Sequence, residues 1–539
     1  MNVMAPGFAA GRLVLGGKRM NRWLTAALLV VLGLALALRL PRLGERPLHT
    51  DESVHALKFL RLWQHQGYRY DPHEYHGPSL YYASLPFAWL SGASTAVELR
   101  ASTLRLVPLA FGLGLIVLLP LLGGGLGRGA VAWAALFTAV SPVFVYYSRY
   151  YIHELLLVFF TLLLLAAGWR YLETRRLRWA LLAGAALGLM YATKETFVFN
   201  LVAMAAGATL TLAWGRWREG ALWFPDTRWN RWHVAAAAAA TFAVSLTLFT
   251  SFFTNARGPL DSLLTYAPWF SRAGGSSPHL HPAGYYLEHL FWFRAANGPR
   301  FSELLIAGLA VVGFVDALRN RRGGTGDPRL VRFLGFYSLT LAALYAALPY
   351  KTPWCALGFH HGFILLAGVG AATILRAVRP TWLYAGVAVL WLAGAAQLAS
   401  QAVRATGPLA ADRRNPWVYA HTSANFLKLI SRVHDIAAAH RPADATVIKV
   451  IGRNGDYWPL PWYLRGFPNV GYFAEIPPDP WAPLMIVSSK FDADLDEKSG
   501  KRWLMVGLFE QRPNVFFELY VELELWKQYL ATRPPTPDE

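Results

Sequence analysis

The sequence predicts a polytopic α-helical membrane protein with a small α/β domain at its C-terminal end. Three observations support this class. The 539 residues are 55% hydrophobic and only 15% charged, whereas ordinary globular domains carry about 25% charged residues. The apolar residues form about eleven runs whose lengths approach the 20 or so residues that cross a bilayer. After residue 402 these runs stop, and short alternating segments replace them.

The chain has a single cysteine, Cys355, which excludes an intramolecular disulfide and a cysteine-based zinc site.

The membrane spans are predicted from runs of apolar residues, taken in chain order. The first run has a basic flank but no small-residue cleavage site after it, so we predict a retained span rather than a signal peptide. The eleven spans are predicted near residues 23–40, 103–122, 130–147, 152–169, 179–193, 196–214, 233–253, 302–318, 333–349, 357–376 and 381–402.

The distribution of positive charge predicts the orientation. The net charge is +19, but the basic residues cluster between the apolar runs, which indicates a membrane protein rather than a nucleic-acid-binding one. Alternate loops are rich in arginine, and Arg12, Lys18, Arg19 and Arg22 precede the first span. The positive-inside rule then predicts a multi-pass protein of the cytoplasmic membrane, with its N-terminus in the cytoplasm and its C-terminal domain outside.

Two predicted outer loops and a terminal domain stand apart from the spans. Within the membrane domain, residues 1–402, the first outer loop covers 41–102 and the second covers 254–301. Both loops contain amphipathic stretches, which are typical of helices lying on the membrane surface. Residues 403–539 combine a helix-like stretch with the strand-like runs TVIKVIG, NVGYFAE, LMIVSS and WLMVGLF, which predicts an extracytoplasmic α/β domain.

Two adjacent acids in the first outer loop are the main candidates for chemistry. Asp51 and Glu52 open an amphipathic stretch directly after the first span. They fit a general base with a neighbouring carboxylate that orients it or binds a metal. The structural alternative is that Thr50 or Asp51 caps the helix and both acids interact with its dipole.

A third acid, Glu154, lies at the outer edge of the predicted fourth span. Ionisable residues in such runs are costly and indicate function. The structural alternative is an ion pair with Arg149. A divalent cation, Mg²⁺ or Mn²⁺, is predicted at Asp51, Glu52 and Glu154, and no other cofactor is expected.

A lysine between two spans is a candidate phosphate ligand. Lys351 lies in YKTPWC, where Tyr350 and Trp354 flank it. A cation there fits the phosphate of a lipid-linked substrate, and Lys194 in YATKETF is a second candidate. The structural alternative is that Lys351 only reaches toward the membrane interface. No Walker-type phosphate loop is present, which argues against ATP-driven export.

These motifs resemble the GT-C superfamily of glycosyltransferases. The likeness is to the protein O-mannosyltransferase and aminoarabinose transferase group, and most of all to the bacterial and archaeal flippase activity-associated family. It covers most of the chain. The motifs, in order, are LHTDESVHALKF, YDPHEYHGPSLYY, SRYYIHE, ATKET, SFFTNARGPLDSL, YKTPW and PLPWYLR.

The resemblance implies a sugar donor linked to polyprenyl phosphate and a protein or glycan acceptor on the outer face. It implies that Asp51 is the catalytic acid of the Asp–Glu pair, with Glu52 beside it, and that Glu154 is the second acid. Residues of the same motifs are implied to bind substrate: Lys351, Arg149, His55, Lys58, Tyr350, Trp354, Lys194 and His76.

We therefore predict an inverting membrane glycosyltransferase whose partners are membrane lipid, a lipid-linked sugar and its acceptor, and not nucleic acid. Two other functions remain open. One is a non-catalytic flippase, or a flippase-associated protein, for lipid-linked glycans. The other is a scaffold whose outer domain binds glycans of the cell envelope.

Overall fold

The structure is a computed structural model that describes residues 22–73, 76–220, 230–268, 279–319, 324–440 and 446–533. The predicted orientation depends partly on Arg12, Lys18 and Arg19, which lie outside the described residues, as does part of the second predicted outer loop.

Long apolar helices make up most of the chain before residue 407. Each predicted span corresponds to a helical segment, because hydropathy over a bilayer's width is a strong local signal. The helices of the spans are α1 (Arg22–Arg39), α4 (Ala101–Leu118), α6 (Arg128–Val140), α7 (Pro142–Tyr147), α8 (Glu154–Thr174), α9 (Leu177–Tyr191), α10 (Phe197–Glu219), α11 (Arg231–Phe249), α14 (Leu304–Arg319), α15 (Pro328–Ala347), α16 (Leu357–Ala377) and α17 (Thr381–Thr406).

The protein is a multi-pass membrane protein, as predicted. Within the described residues, eight helical segments are long and apolar enough to cross a membrane. Of the remaining predicted spans, α6, α9 and α14 have 13, 15 and 16 residues. The count of eleven spans therefore stays a prediction.

The predicted span 130–147 is two helices rather than one. α6 ends at Val140 and α7 begins at Pro142. Proline has no N–H to donate to the preceding turn and disfavours a helical residue before it. The buried Arg39 guanidinium of α1 donates hydrogen bonds to the carbonyls of Thr138, at 2.9 Å, and Ala139, at 2.7 Å, which satisfies the end of α6.

The bundle is closely packed, with α14 against α16, α6 against α16, α10 against α15 and α9 against both α8 and α11. The crossing of α14 and α16 depends on glycine. A Cβ at Gly370 would lie 1.9 Å from the Leu309 carbonyl oxygen, so a larger residue would push these helices apart.

Shorter helices lie at one end of the bundle, the end that also carries the C-terminal domain. The stretches predicted to be amphipathic in the two long loops are helical. The short helices are α2 (Thr50–Trp63), α3 (Ser79–Leu90), α12 (Gly258–Leu264) and α13 (Tyr285–Phe291), with α5 (Gly123–Leu126) elsewhere and a two-stranded ribbon of β1 (Phe293–Arg294) and β2 (Arg300–Phe301) after α13.

The C-terminal region contains a five-stranded mixed sheet. Its strand order is β4-β3-β5-β7-β6, with β3 parallel to β4 and β5 and with β7 antiparallel to β5 and β6. The strands are β3 (Ile448–Ile451), β4 (Val470–Phe473), β5 (Leu484–Ser488), β6 (Trp503–Arg512) and β7 (Val515–Glu522), and the helices are α18 (Ala424–Ala439), α19 (Leu460–Tyr463), α20 (Leu495–Lys498) and α21 (Leu523–Ala531).

Four of these strands match the strand-like runs of the sequence, and the predicted helix is α18. Its apolar face, including Phe426, Leu429, Val433 and Ile436, packs in the core of this region. The strand β7 was not predicted, because its apolar run continues directly into the amphipathic helix α21. The domain boundary at residue 403 stays a prediction, and α17 continues to Thr406.

Candidate active-site cavity

Two cavities of similar volume lie along one face of α2. The first, about 440 Å³, is lined at the start of α2 by Thr50, Asp51, Val54 and His55. The second, about 430 Å³, is lined further along α2 by Lys58 and Arg61. Residues three or four positions apart lie on the same side of a helix. We call the first the acidic cavity, because Asp51 and Glu154 line it, and the second the cationic cavity.

The N-terminus of α2 is capped by His49 and Glu52, not by Thr50 or Asp51. The backbone N–H of Asp51 donates to His49 Nδ1 at 3.0 Å, and the backbone N–H of His49 donates to Glu52 Oε2 at 3.1 Å. Burial lowers the pKa of His49, so its ring is neutral. Because Nδ1 accepts, Nε2 carries the hydrogen and donates to the Tyr419 carbonyl at 3.1 Å.

Asp51 is the carboxylate that faces the acidic cavity. Its side chain is 43% exposed, and its Oδ2 lies 3.8 Å from His49 Nδ1. Because His49 performs the capping, the Asp51 carboxylate is not needed to hold the helix. It is therefore available to a molecule in the cavity.

Glu52 does not line the acidic cavity, contrary to its predicted catalytic and metal-binding roles. It is fully buried and accepts hydrogen bonds from Arg105 at 2.8 and 2.9 Å and from Arg46 at 3.0 Å. The Tyr151 backbone N–H also donates to it, at 3.0 Å. Burial alone would raise the pKa of Glu52, but the two arginines outweigh it and lower the pKa to about 2. Glu52 is thus a permanent anion that joins α2, α4 and the segment before α8.

Glu154 lines the acidic cavity together with Asp51, but its partner is Lys194 rather than Arg149. The Lys194 ammonium donates to Glu154 Oε1, and both residues are buried. Burial lowers the pKa of Lys194, but the Glu154 carboxylate more than offsets this effect and holds the pKa above its usual range. The two acids, 103 residues apart in the chain (positions 51 and 154), therefore share one cavity with a permanently charged lysine.

Lys351 does not reach the acidic cavity. Its ammonium donates to the carbonyl of His281, at 3.1 Å, and to that of Leu348, and the residue is only 1% exposed. The predicted phosphate contact is therefore not supported, because backbone carbonyls already satisfy this cation. Its neighbours Tyr350 and Trp354 do line the cavity.

Arg149 also lies away from both cavities. Its guanidinium donates to the Arg42 carbonyl at 2.9 Å, and its own carbonyl accepts from Arg46 at 3.0 Å. These hydrogen bonds connect the segment after α1 to the segment before α8. The side chain of Arg149 therefore has a structural role here, and it does not face the cavity in which a substrate was predicted.

Two histidines lie between Asp51 and the cationic cavity. His55 Nδ1 is 2.9 Å from the Tyr81 hydroxyl, and burial, with His76 and Lys58 nearby, lowers the pKa of His55 well below its usual range. His76 lines both cavities and pairs with Glu195, its Nδ1 lying 2.8 Å from Oε2. His76 therefore forms part of the wall that the cavities share.

The cationic cavity has an excess of positive charge. Two carboxylates also line it, and one of them, Asp261, pairs with Arg257 at 3.0 Å. Of the predicted site residues, Lys58 lies here rather than beside Asp51. The four cations are Lys58, Arg61, Arg69 and Arg257. Such a surface is suited to a phosphate group, which prefers arginine and lysine donors.

Sequence reasoning missed several residues of this region. Arg105 had a signal, because it is a charged residue inside an apolar run. Arg257 lies within the motif SFFTNARGPLDSL, but that motif does not reveal which of its residues faces a cavity. Phe199 and Tyr345 line the acidic cavity with no local signal, because only the packing of distant segments brings them there.

The described residues do not fit the predicted site for a divalent cation. Both carboxylate oxygens of Glu52 accept hydrogen bonds from arginines, and the Glu154 carboxylate forms an ion pair with Lys194. These carboxylates are therefore already occupied by cations of the protein. Within the described ranges, no group of three or more His, Cys, Asp or Glu side chains could hold a metal ion. The divalent cation stays a prediction.

Comparisons with known proteins agree with this architecture. The model of the family described as dolichyl-phosphate-mannose-protein mannosyltransferase matches residues 29–258, which include Asp51, Glu154 and Lys194. No curated protein sequence is significantly similar to the chain.

Solved structures show the same fold. ArnT from Cupriavidus metallidurans in the apo state has a TM-score of 0.60 at 16% identity, covering 92% of this chain and 97% of its own. The same protein bound to undecaprenyl phosphate has a TM-score of 0.58 at 17% identity, covering 93% and 98%. The oligosaccharyltransferase AglB from Archaeoglobus fulgidus, in complex with an inhibitory peptide and a dolichol-phosphate, has a TM-score of 0.53 at 12% identity, covering 84% and 64%.

These likenesses show the fold of the protein. The chain has the GT-C glycosyltransferase fold: a multi-pass helical membrane unit followed by a C-terminal region that contains a sheet. The predicted GT-C fold is thereby confirmed, whereas the likeness to the flippase activity-associated family stays a prediction.

Proposed function

We propose that the protein is a membrane glycosyltransferase that moves a sugar from a polyprenyl-phosphate donor to an acceptor hydroxyl, on the outer face of the cytoplasmic membrane. The observation that carries this proposal is the face of α2 that presents Asp51 to the acidic cavity and Lys58 to the cationic cavity. A base and a phosphate site are thus held on one rigid element.

The spacing between Asp51 and Lys58 on α2 suits an in-line displacement, in which the acceptor oxygen attacks the anomeric carbon from the side opposite the leaving phosphate. Asp51 and Lys58 are seven residues apart, which is about 10 Å along a helix axis. A base lies about 3 Å from the hydroxyl oxygen that it deprotonates, and that oxygen lies about 3 Å from the carbon that it attacks. Because Asp51 and Lys58 lie on the same side of α2 and the lysine side chain is long and flexible, the ammonium can reach a phosphate beyond the anomeric carbon.

The proposed reaction is a single displacement. The Asp51 carboxylate takes the proton of the acceptor hydroxyl, and the hydroxyl oxygen forms a bond to the anomeric carbon. The bond from that carbon to the phosphate oxygen breaks, and its electron pair leaves with polyprenyl phosphate. One displacement inverts the configuration at the anomeric carbon.

Negative charge develops on the leaving phosphate, and fixed cations stabilise such charge best where water is excluded. Lys58, Arg61 and Arg257 supply cations at the cationic cavity. Lys194 supplies a further ammonium inside the acidic cavity, and Glu154 holds it in position. This assignment replaces Lys351 as the phosphate ligand.

The apolar part of the acidic cavity suits the polyprenyl chain. Phe199 of α10, Tyr345 of α15 and Leu348 line it at the ends of membrane helices. A lipid tail can pass from there into the bilayer without exposing apolar surface to water. The crystal structure of ArnT bound to undecaprenyl phosphate, a protein of the same fold, supports this class of ligand.

The test is the variant Asp51→Asn, assayed with the donor identified by mass spectrometry of co-purified lipid. Loss of a general base typically lowers turnover about 10²- to 10⁴-fold, so we expect transfer to fall by at least a hundredfold with normal expression and melting temperature. Glu45→Gln, an exposed carboxylate outside both cavities, is the matched control.

Two outcomes contradict the proposal. Unchanged turnover in Asp51→Asn removes the base assignment. Movement of labelled lipid-linked sugar across proteoliposomes without product, at equal rates in both proteins, favours the flippase.

A further inference from the structure

The C-terminal region contributes an aromatic side chain to the acidic cavity. Trp458 is half-buried and lines this cavity together with residues of the membrane unit. Its position in the chain is more than 400 residues after Asp51, at 458 against 51. The cavity is therefore built by two parts of the protein.

Trp458 is held in place from both sides. On the side of the sheet, Gln511 donates to the Trp458 carbonyl, and Arg512 pairs with Asp456. On the side of α2, Ser53 Oγ lies 3.4 Å from the Pro459 carbonyl. These contacts fix the backbone that carries the Trp458 ring, so less conformational entropy is lost when a ligand packs against it.

Trp458 lies at the N-terminal end of α2, away from the cationic cavity. Its neighbour Pro459 contacts Ser53, whereas Lys58 and Arg61 lie one and two turns further along the helix. Other aromatic residues of the cavity are near the same end. The Trp354 ring centroid is 6.0 Å from that of His49, the cap of α2, and Tyr350 packs on His279 at 4.9 Å.

If the donor phosphate occupies the cationic cavity, the acceptor hydroxyl reaches Asp51 from this aromatic end, because the attacking and leaving oxygens lie on opposite sides of the anomeric carbon. Flat aromatic faces beside a carboxylate are suited to a sugar ring, whose C–H groups pack on the aromatic face while its hydroxyls bond to acidic and histidine side chains.

We infer that Trp458 is the specificity-determining residue for the acceptor, and that the acceptor is a saccharide whose ring stacks on Trp458 while one hydroxyl reaches Asp51. This inference rests on the proposed function, because it takes Asp51 as the base and the cationic cavity as the donor side.

The test measures binding of defined acceptor probes by saturation-transfer NMR to the full-length protein in nanodiscs containing undecaprenyl phosphate. The probes are methyl glycosides of glucose, mannose, galactose and N-acetylglucosamine, and a neutral threonine-containing pentapeptide. The proteins are the wild type, Trp458→Ala, Trp458→Phe and the control Phe516→Ala, a partly exposed aromatic residue of the same region.

We expect at least one glycoside to bind the wild type saturably and the pentapeptide not to bind. Trp458→Ala should weaken the glycoside about tenfold or more, whereas Trp458→Phe, which keeps an aromatic face, and Phe516→Ala should stay within about threefold. Thermal melting of each variant checks that the region with the sheet stays folded.

Three outcomes overturn the inference: equal glycoside binding by wild type and Trp458→Ala, binding of the pentapeptide alone, or no saturable glycoside at all. Native mass spectrometry of the same samples tests the proposed function separately. Undecaprenyl phosphate retained by a protein that fails the glycoside test contradicts only the acceptor assignment. Glycoside binding without any retained undecaprenyl phosphate contradicts the donor class instead.

Discussion

At the scale of residues, neighbouring side chains with the same chemistry have different roles because their surroundings differ. Asp51 and Glu52 are adjacent, yet one faces the acidic cavity and the other is enclosed by Arg46 and Arg105. The sequence predicted that this pair is important and that Glu154 would join Asp51. It could not separate the two roles, because these depend on arginines 6 and 53 positions away from Glu52.

The substitution Glu52→Gln should destabilise the protein strongly. It removes the charge that two buried arginines require, and breaking a buried ion pair on one side costs about 3–5 kcal/mol. We expect a clear fall in melting temperature in detergent, with Glu45→Gln unchanged. A variant that melts like the wild type would contradict the structural role of Glu52.

The same residue predicts a pH dependence. The pKa of Glu52 is lowered from 4.5 to about 2, so the stabilisation from its charge is present above pH 4.5 and is lost as the pH falls toward 2. The melting temperature of the wild type should fall across this window. Glu52→Gln should lack this contribution, and a parallel fall in both proteins would contradict the assignment.

At the scale of elements, α2 organises the site. Its N-terminus is fixed by His49 and Glu52, and one of its faces presents Asp51 to the acidic cavity and Lys58 and Arg61 to the cationic cavity. Amphipathicity predicted the helix, and the motif around Asp51 indicated its importance. Contacts that depend on tertiary structure were not predictable, such as the burial of Lys351 among carbonyls. The division of the span 130–147 had a local signal in Pro142, but hydropathy alone does not register it.

The substitution Lys58→Met tests the proposed phosphate end of α2. Hydrogen bonds to charged groups contribute about 1.5–3 kcal/mol, so we expect undecaprenyl phosphate to bind about ten- to a hundredfold more weakly. Lys527→Met, at an exposed lysine of α21, is the control. Titration at two salt concentrations measures the effect, and equal affinity and equal salt dependence would place the phosphate elsewhere.

At the scale of the whole molecule, the C-terminal region is attached to the segment just before the membrane helix α4. Arg465 packs over Trp462 at 3.8 Å and donates to the carbonyls of Ala96 and Leu99, both at 2.9 Å. The motif PLPWYLR marked this segment as important in the sequence. The residues that it contacts lie more than 300 positions earlier in the chain, and a local sequence pattern cannot predict contacts across such a separation.

The substitution Arg465→Ala should loosen this attachment without unfolding the sheet. We expect hydrogen exchange around residues 96–99 and 457–465 to quicken about tenfold, while amides of β5 and β7 keep their protection. The exposed Arg453→Ala is the control. Faster exchange throughout the sheet would show that Arg465 supports the fold of the region instead.

The same attachment determines when the site can form during synthesis. The Leu48 backbone N–H donates to the Tyr463 hydroxyl at 2.8 Å, and its carbonyl accepts from Thr422 at 2.6 Å. The segment that leads to Asp51 is therefore translated early. It gains these hydrogen-bond partners only when residues after α17 have been made. Chains emerge from the ribosome in order, so a partly translated molecule that ends before residue 458 lacks both Trp458 in the cavity wall and the Tyr463 contact to Leu48.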